Sequence, residues 1–185
     1  MNFNELPINV PNIKKLAKFF QNALVELKAA NDAETVSKIM KKINKFGNDI
    51  STDITVIQIR YSIDTTNEEY RSANDKLSEI LPQLSAYIIP IEKEILDKPF
   101  REDLEKIWGS FLFKKYENDV SGFDERIIPE LIEENKLSNE YDAVLGGAKI
   151  EYKGKIYNLS QMSKFAQSLD REERLEASKL TEKIL

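Results

Sequence analysis

The sequence predicts a mainly α fold, a multi-helix bundle with one short β-hairpin near residues 148–159. Three observations predict it. Gly and Pro are scarce, at six each in 185 residues, and charged residues make up 32% of the chain. Apolar residues recur every three or four positions, the spacing of one helix face, over most of the length. Strict alternation of apolar and charged residues is confined to the segment near 148–159. At this length we expect a single helical domain spanning residues 1–185.

The first two helices are predicted from their caps and their apolar spacing. Asn12 precedes an apolar stripe that begins at Ile13 and continues to Leu27. Asp32 then provides a cap for a second helix. Within that helix, residues 54–59 are rich in β-branched side chains, which leaves helix and strand both open. We favour helix, because the apolar spacing continues there without any turn signal.

The third helix is predicted to begin at a capping box and to be disturbed by two prolines. Thr66 and Glu69 have the spacing at which a hydroxyl and a carboxylate each satisfy a free backbone N–H. Pro82 and Pro90 fall within the apolar pattern that follows. Because each proline lacks a backbone N–H, we expect kinks or a split into shorter helices.

The middle of the chain predicts two short helices and one longer helix. A helix over residues 101–108 is interrupted by Gly109, and the helical pattern then resumes. Asp124 can cap the longer helix, which Gly146 and Gly147 are predicted to end. Glycine tolerates the left-handed conformation that often follows a helix C-terminus.

The hairpin is the clear strand signal in the sequence. Apolar and charged residues alternate over residues 148–153, and Gly154 provides the turn before the chain returns. Ser160 is predicted to cap the next helix. Asp170 and Glu173 have the spacing of a second capping box at the start of the last helix.

The chain contains no His and no Cys. The usual zinc ligand sets need one or the other, and so do Ser–His and Cys–His nucleophile pairs and helical di-iron sites. The sequence contains none of the common nucleotide-binding or hydrolase motifs. The run Gly146-Gly147-Ala148-Lys149 resembles a phosphate loop, but its spacing is wrong. We therefore predict no catalytic, cofactor-binding or metal-ligating residue in this chain.

Two groups of side chains are the remaining candidates for chemistry or binding. The sequence has three pairs of adjacent glutamates. Adjacent side chains on one helix point about 100° apart, so we interpret these pairs as solvated surface rather than as catalytic acid–base pairs. The four clustered aromatic residues could line a groove for peptide side chains, but core packing is the favoured interpretation. The carboxylate pairs are Glu68-Glu69, Glu133-Glu134 and Glu172-Glu173, and the aromatic residues are Trp108, Phe111, Phe113 and Tyr116.

Charge and hydropathy predict neither a nucleic-acid partner nor a membrane location. The net charge is -5, and the mild excess of nine Lys/Arg over six Asp/Glu in residues 1–60 lies on the outer faces of predicted helices. No stretch approaches the roughly 20 apolar residues that span a membrane, and no signal peptide follows Met1. A cytoplasmic location is the expectation.

Five segments of the chain carry a resemblance to a known family. They are I-R-Y-S-I-D-T-T at 59–66, K-P-F-R-E-D-L-E-K-I-W-G at 98–109, E-E-N-K-L-S-N-E-Y at 133–141, A-K-I-E-Y-K-G-K-I-Y-N-L-S-Q at 148–161 and D-R-E-E-R at 170–174. In this order and spacing, over essentially the whole chain, they resemble the oligoendopeptidase F and thimet oligopeptidase family of zinc metallopeptidases. The bacterial oligoendopeptidase-F-like branch is the most similar.

The resemblance implies a function that this chain does not perform alone. In that family the N-terminal part is a helical lobe forming one wall of a deep substrate channel. The zinc ligands and the catalytic Glu lie in a later H-E-x-x-H region, which this sequence lacks. The resemblance therefore implies the N-terminal lobe of an oligopeptide-hydrolysing zinc metalloendopeptidase, inactive as an isolated chain. Zinc is expected only in the full-length parent, and the missing catalytic domain or chain is the expected partner.

The leading hypothesis is that this chain is a fragment, produced by a truncated gene or by trimming. Two alternatives stay open. One is a stand-alone helical module that binds peptides or another protein, and the other is the non-catalytic half of a split peptidase. In the last helix, Leu175, Leu180 and Ile184 form an apolar stripe that a missing domain would cover. Because exposed apolar stripes promote association, we expect a homodimer or a disordered C-terminus.

Overall fold

The computed structural model describes residues 3–184, which form eight α-helices and one antiparallel hairpin. The mainly α prediction is thus confirmed. Short 3₁₀ turns lie at Phe3–Glu5 and Glu125–Ile127. The elements are α1 (Ile13–Ala29), α2 (Ala33–Ile63), α3 (Glu68–Leu96), α4 (Arg101–Trp108), α5 (Ser110–Gly122), α6 (Ile128–Gly147), β1 (Ile150–Tyr152), β2 (Lys155–Tyr157), α7 (Leu159–Ala166) and α8 (Arg171–Glu182).

Three of the predicted helix caps are present. The side-chain oxygen of Asn12 accepts hydrogen bonds from two backbone N–H groups at the start of α1, at 3.0 and 3.2 Å. Asp32 and Asp170 each accept one such hydrogen bond at the start of α2 and α8, from the N–H groups of Thr35 and Glu172 at 2.8 and 2.9 Å. The β-branched segment 54–59 lies inside α2, so the helix prediction there is confirmed.

Two predicted caps are wrong by one or two residues. Helix α3 is capped by Asn67 rather than by Thr66, whose hydroxyl and N–H both donate to Asp64. Helix α7 is capped by Asn158 rather than by Ser160. At both places the chain offers several residues that can cap, and an Asn amide oxygen takes the position.

Two further details of the predicted ends differ from the structure. Glu173 does not complete a capping box with Asp170; its carboxylate accepts a hydrogen bond from Lys153 in the hairpin turn. Asp124 caps the 3₁₀ turn that leads into α6 rather than α6 itself. Helix α6 ends where predicted, but its two terminal glycines are not left-handed.

Helix α3 lies at the centre of the bundle and packs against α1, α2, α5 and α6. One apolar core joins α1, the first half of α2, the second half of α3, α4 and α5; its most deeply buried members are Leu27, Val36, Ile95, Leu104 and Phe113. A smaller core joins the other halves of α2 and α3 through Ile57, Ala73 and Leu77. Partly buried Leu81 contacts both cores.

Two basic side chains, Lys98 and Arg101, stabilise the corner between α3 and α4. Lys98 is buried, and its ammonium group donates to the backbone oxygen of Ala30 beyond the end of α1, at 3.2 Å. Arg101 pairs with Glu105 and Glu117 at 2.7 Å each, which joins α4 to α5. Gly109, between these two helices, has φ +84° and ψ 141°, a conformation that other residues rarely adopt. The segment at 98–109 that resembles the peptidases therefore has a structural role in this corner.

Helix α3 runs unbroken through both prolines, so the predicted split is wrong. Pro82 has no N–H to donate to the carbonyl oxygen of Ser78, one helical turn earlier. That oxygen instead accepts a hydrogen bond from the side-chain amide of Asn135 in α6, at 3.3 Å. The backbone group released by the proline thus becomes an attachment point for another helix.

This exchange predicts an energetic coupling between Pro82 and Asn135. Asn135→Ala should lower the free energy of unfolding by about 1–2 kcal/mol, because the Ser78 carbonyl loses its donor. In a Pro82→Ala background the new backbone N–H at position 82 can donate instead, so the loss should shrink by at least ~0.5 kcal/mol. Urea unfolding of the four proteins in this double-mutant cycle measures the coupling. Pro90→Ala is the matched control and should combine additively with Asn135→Ala.

The two glycines that end α6 should respond differently to alanine. A Cβ at Gly146 would lie 3.0 Å from the hydroxyl oxygen of Thr65, whereas one at Gly147 meets nothing within 4 Å. Alanine is favoured over glycine in a helix by about 1 kcal/mol. Gly147→Ala should therefore stabilise the chain slightly, and Gly146→Ala should be less stable than Gly147→Ala by about 1 kcal/mol. Equal melting temperatures for the two variants would contradict the close approach of Thr65.

Candidate functional site

Helix α6 presents its polar side to the rest of the bundle. Asn139 donates to the hydroxyl of Ser78 at 2.8 Å, and its side-chain oxygen accepts from Asn74 at 3.0 Å. Its backbone oxygen accepts from the hydroxyl of Tyr61 at 2.9 Å. Since Asn74, Ser78 and Tyr61 are buried, α6 is attached to α2 and α3 by hydrogen bonds as well as by packing.

The opposite side of α6 is an exposed apolar stripe. Leu137, Tyr141 and Val144 follow one another at helical spacing and are 57%, 60% and 63% exposed. Tyr141 lies two residues beyond Asn139, about 200° around the helix, so the stripe faces away from the bundle. Acidic residues line the shallow depression around the stripe: Glu130, Glu133, Glu134 and Asp142. A helix that keeps its apolar side outward is suited to contact a second body.

The last four elements form a separate apolar core. Ile150 and Tyr152 of β1, Met162 of α7 and Ala177 of α8 are its buried members. The hairpin turn between the strands has positive φ at both central residues, Lys153 and Gly154, as a tight two-residue turn requires. This hairpin-and-helix unit supplies its own small core beside the main bundle.

The predicted exposed stripe on the last helix is only partly present. Leu180 and Ile184 are partly buried against the core of the hairpin unit, so the prediction is wrong for these two residues. Leu175 is 53% exposed, as predicted. The homodimer that was expected from this stripe stays a prediction.

A second feature is a cavity of about 310 Å³ between α1, α2, α3 and α5. Its walls are mostly apolar, from residues such as Met40, Ile43, Ile88 and Leu112. Glu92 of α3 is the acidic group in its lining; this residue is only 6% exposed, and its Oε2 accepts no hydrogen bond from any group in residues 3–184. The nearest cation is Lys115, whose ammonium nitrogen lies 4.0 Å from Oε1.

The surroundings of Glu92 change the acidity of the cavity groups. Burial raises the pKa of Glu92 to about 7; Lys115 lowers this pKa and the Asp119 carboxylate raises it further. Burial also raises the pKa of Tyr116 to about 12, with smaller contributions from the same two carboxylates. Glu92 is therefore half-protonated near neutral pH, unlike an exposed glutamate.

The residues that the sequence singled out are not brought together. Phe113 is buried, and Trp108 and Tyr116 are partly buried against the main core, so core packing accounts for these three. Trp108 also donates to the hydroxyl of Ser37 at 3.0 Å. Phe111 is 82% exposed and stands apart from the other aromatic side chains. The aromatic cluster forms no groove.

The acidic candidates give no metal centre. Glu133 and Glu134 lie in the lining of the depression on α6, and Glu173 pairs with Lys153. Across residues 3–184, no group of three or more acidic side chains is placed to hold a metal ion. In the same part of the chain, no helix is both long and apolar enough to cross a bilayer.

Comparison with known proteins identifies the family. A sequence model described as the Peptidase M3 N-terminal domain matches residues 3–123, about two thirds of the chain. The chain belongs to the M3 peptidase family. No curated protein sequence gives a significant match.

Three solved peptidase structures have the same fold over 99–100% of the chain. A structure of PZ peptidase A with an inhibitor superimposes at a TM-score of 0.94, with 34% identity over 99% of this chain and 33% of that one. A structure described as oligoendopeptidase F superimposes at a TM-score of 0.94 with 32% sequence identity. The match covers all of this chain and 33% of that one. An oligoendopeptidase F from Bacillus anthracis str. Ames also has a TM-score of 0.94, with 33% sequence identity. This match covers all of this chain and 34% of that one. The chain thus spans about one third of the length of these peptidases, and it corresponds to their N-terminal lobe.

Sequence reasoning did not find the two features described above. A signal for Glu92 exists, because this residue follows Ile91 and lies one helical turn from both Ile88 and Ile95 in the apolar pattern. The outward apolar stripe on α6 could not be distinguished in the sequence from the other apolar residues of that helix. Apolar residues occur around much of that helix, and the sequence alone does not tell which of them face the bundle.

Glu92 predicts an unusual pH dependence of stability. Between pH 4.5 and about 7 the folded chain holds a proton that the unfolded chain has released, so stability should fall as the pH rises through this range. The fall is up to about 3 kcal/mol and should be complete above pH 8. The chain has no His, so Glu92 is the side chain expected to dominate in this window.

Urea unfolding at half-unit steps from pH 5 to pH 8 measures this dependence. Glu92→Gln should remove most of the slope, because glutamine does not titrate. Glu69→Gln, an exposed change on the same helix, should leave the slope as it is. A wild-type slope that is flat or positive would show that Glu92 is ionised throughout the range.

Proposed function

We propose that this chain is the channel-forming N-terminal lobe of a zinc-dependent peptidase that hydrolyses oligopeptides. The observation that carries the proposal is the match to peptidase structures over 99–100% of the chain at 32–34% identity. In this proposal the zinc ligands and the catalytic Glu lie outside the chain. The absence of His and Cys agrees with that division of roles, since a catalytic zinc site needs such ligands. A cytoplasmic location belongs to the same proposal.

The outer face of α6 is the surface proposed to contact the catalytic part. Its apolar stripe of Leu137, Tyr141 and Val144 has the exposure and spacing of a helix face that packs on another domain. The acidic residues beside it favour a partner surface with a basic rim. Leu175 and Phe111 are further exposed apolar residues that such a domain would cover.

A stand-alone binding module is the second candidate function. The same stripe on α6 supports it, because an amphipathic segment of a peptide or another protein could occupy the stripe instead of a catalytic domain. A split peptidase, with the catalytic part encoded as a separate chain, places the same surface in a contact between chains. A homodimer through α8 would use Leu175.

A chimera distinguishes a peptidase lobe from a stand-alone module. This chain replaces the corresponding third of the Bacillus anthracis oligoendopeptidase F, and hydrolysis of a fluorogenic oligopeptide is measured with and without a chelator. We expect chelator-sensitive activity from the chimera and none from the isolated chain with added zinc. A soluble chimera that binds zinc but hydrolyses no peptide would contradict the lobe function, and so would chelator-sensitive turnover by the isolated chain.

A matched pair of substitutions tests the proposed contact surface. Val144→Lys, on the α6 stripe, should lower the activity of the chimera at least tenfold, because a buried unpaired ammonium group disrupts the contact. Val25→Lys on α1 makes the same change at a similarly exposed valine, 68% against 63%, and should keep the activity within twofold. Both variants should leave the melting temperature of the isolated chain nearly unchanged. Equal activities in the two chimeras would exclude α6 as the contact surface.

A further inference from the structure

The last four elements make very little contact with the helical bundle. This hairpin unit, residues 149–184, has an apolar core to which no side chain of α1–α6 belongs. Within the described residues, every hydrogen bond and ion pair of the unit has both partners inside it, as in the pair Lys153 and Glu173. None of its elements packs closely against one of α1–α6. The backbone at Ala148 is therefore its main attachment to the bundle.

A unit of this size has few ways to stay folded. Domains below roughly 40 residues usually need disulfides, a metal ion or a partner surface, because their cores are too small. The chain contains no Cys, and no group of side chains in residues 3–184 is placed to hold a metal ion. The buried core of the unit consists of Ile150, Tyr152, Met162 and Ala177. Since the bundle contributes so little, another partner surface is the remaining source of stability.

The unit also exposes apolar side chains that its own core does not use. Ile156 lies between Lys155 and Tyr157 in β2; Tyr157 packs against the core, so Ile156 points to the opposite face and is 68% exposed. Leu169, between α7 and α8, is fully exposed. Both side chains are available to a second body.

The solved peptidases indicate which body this is. Their superposition at a TM-score of 0.94 covers 99–100% of this chain, so the hairpin unit has the same place beside the bundle in chains of which this one spans 33–34%. The bundle does not fix that place, because it makes so few contacts with the unit. This points to the part of those chains beyond the lobe as the surface against which the unit packs.

We propose that the hairpin unit is a docking element, which is held folded by the catalytic part of the parent peptidase and contacts it through Ile156 and Leu169. In the isolated chain the unit opens and closes without the bundle, and docking suppresses this opening. The inference rests on the proposed function, because it takes the missing part of a peptidase as the partner. It adds a second contact to the one on the outer face of α6.

Hydrogen–deuterium exchange of the isolated 185-residue chain tests whether the unit opens alone. We expect the amides of α7 and α8 to be protected at least a hundredfold less than the buried amides of α1 and α3. Met162→Ala should lower this protection further, while the urea midpoint of the bundle, followed by the fluorescence of Trp108, stays unchanged. Equal protection of unit and bundle, or a shifted bundle midpoint, would overturn the proposal. Protection that increases with protein concentration would assign the contact to a second copy and would also overturn it.

Exchange in the chimera with the Bacillus anthracis oligoendopeptidase F tests the docking. Protection of α7 and α8 should rise at least tenfold over the isolated chain, with α1 and α3 as the internal reference. Ile156→Lys should remove this rise but leave exchange in the isolated chain unchanged, because the side chain is exposed there. Val25→Lys, at an equally exposed position of α1, should keep the rise within twofold.

The two proposals can fail separately. An active chimera in which the protection of the unit does not rise would contradict the docking and leave the lobe function standing. A protected unit in a chimera that binds zinc but hydrolyses no peptide would support the docking and contradict only the lobe function.

Discussion

The missing N–H of Pro82 is the constraint on which the attachment of α6 depends. In a buried part of α3 it leaves the carbonyl oxygen of Ser78 without its helical partner, and an unpaired buried carbonyl costs about 1–3 kcal/mol. Asn135 provides the donor from α6. One turn further on, Asn139 continues the same polar contact with Ser78 and Asn74. The side of α6 that faces the bundle is therefore partly polar.

This polar attachment also explains the exposed stripe on α6. Once Asn135 and Asn139 occupy the inward side, residues half a turn away must point outward, and these are Leu137, Tyr141 and Val144. A monomer gains nothing from keeping such residues in water. In a larger peptidase the same stripe becomes buried surface, at roughly 25 cal/mol for each Å² covered. The outward apolar face of α6 thus follows from the same arrangement that provides a donor for the Ser78 carbonyl group.

Sequence periodicity predicted the helices because the spacing of apolar residues reflects burial directly, as it does from Ile13 to Leu27 in α1. It predicted helix ends less well. At Thr66 and at Ser160 an Asn within two residues caps better, and the two arrangements differ by only a fraction of the energy of a cap. The hairpin was predicted because alternation and Gly154 agree. The cavity beside Glu92 could not be predicted, since four helices contribute to it and no single one contains a signal for empty space.

Glu92 differs from the other buried polar residues of α3. Asn74 and Ser78 are hydrogen-bonded to α6, so their burial costs little and specifies how the helices pack. Glu92 is as deeply buried, yet its Oε2 accepts no hydrogen bond from residues 3–184, and the nearest ammonium group is 4.0 Å from its other oxygen. Glutamine or leucine would serve packing at this position with a smaller desolvation cost. A carboxyl group there lowers the stability of the folded chain once the pH passes its raised pKa of about 7, because the buried group must then carry a charge.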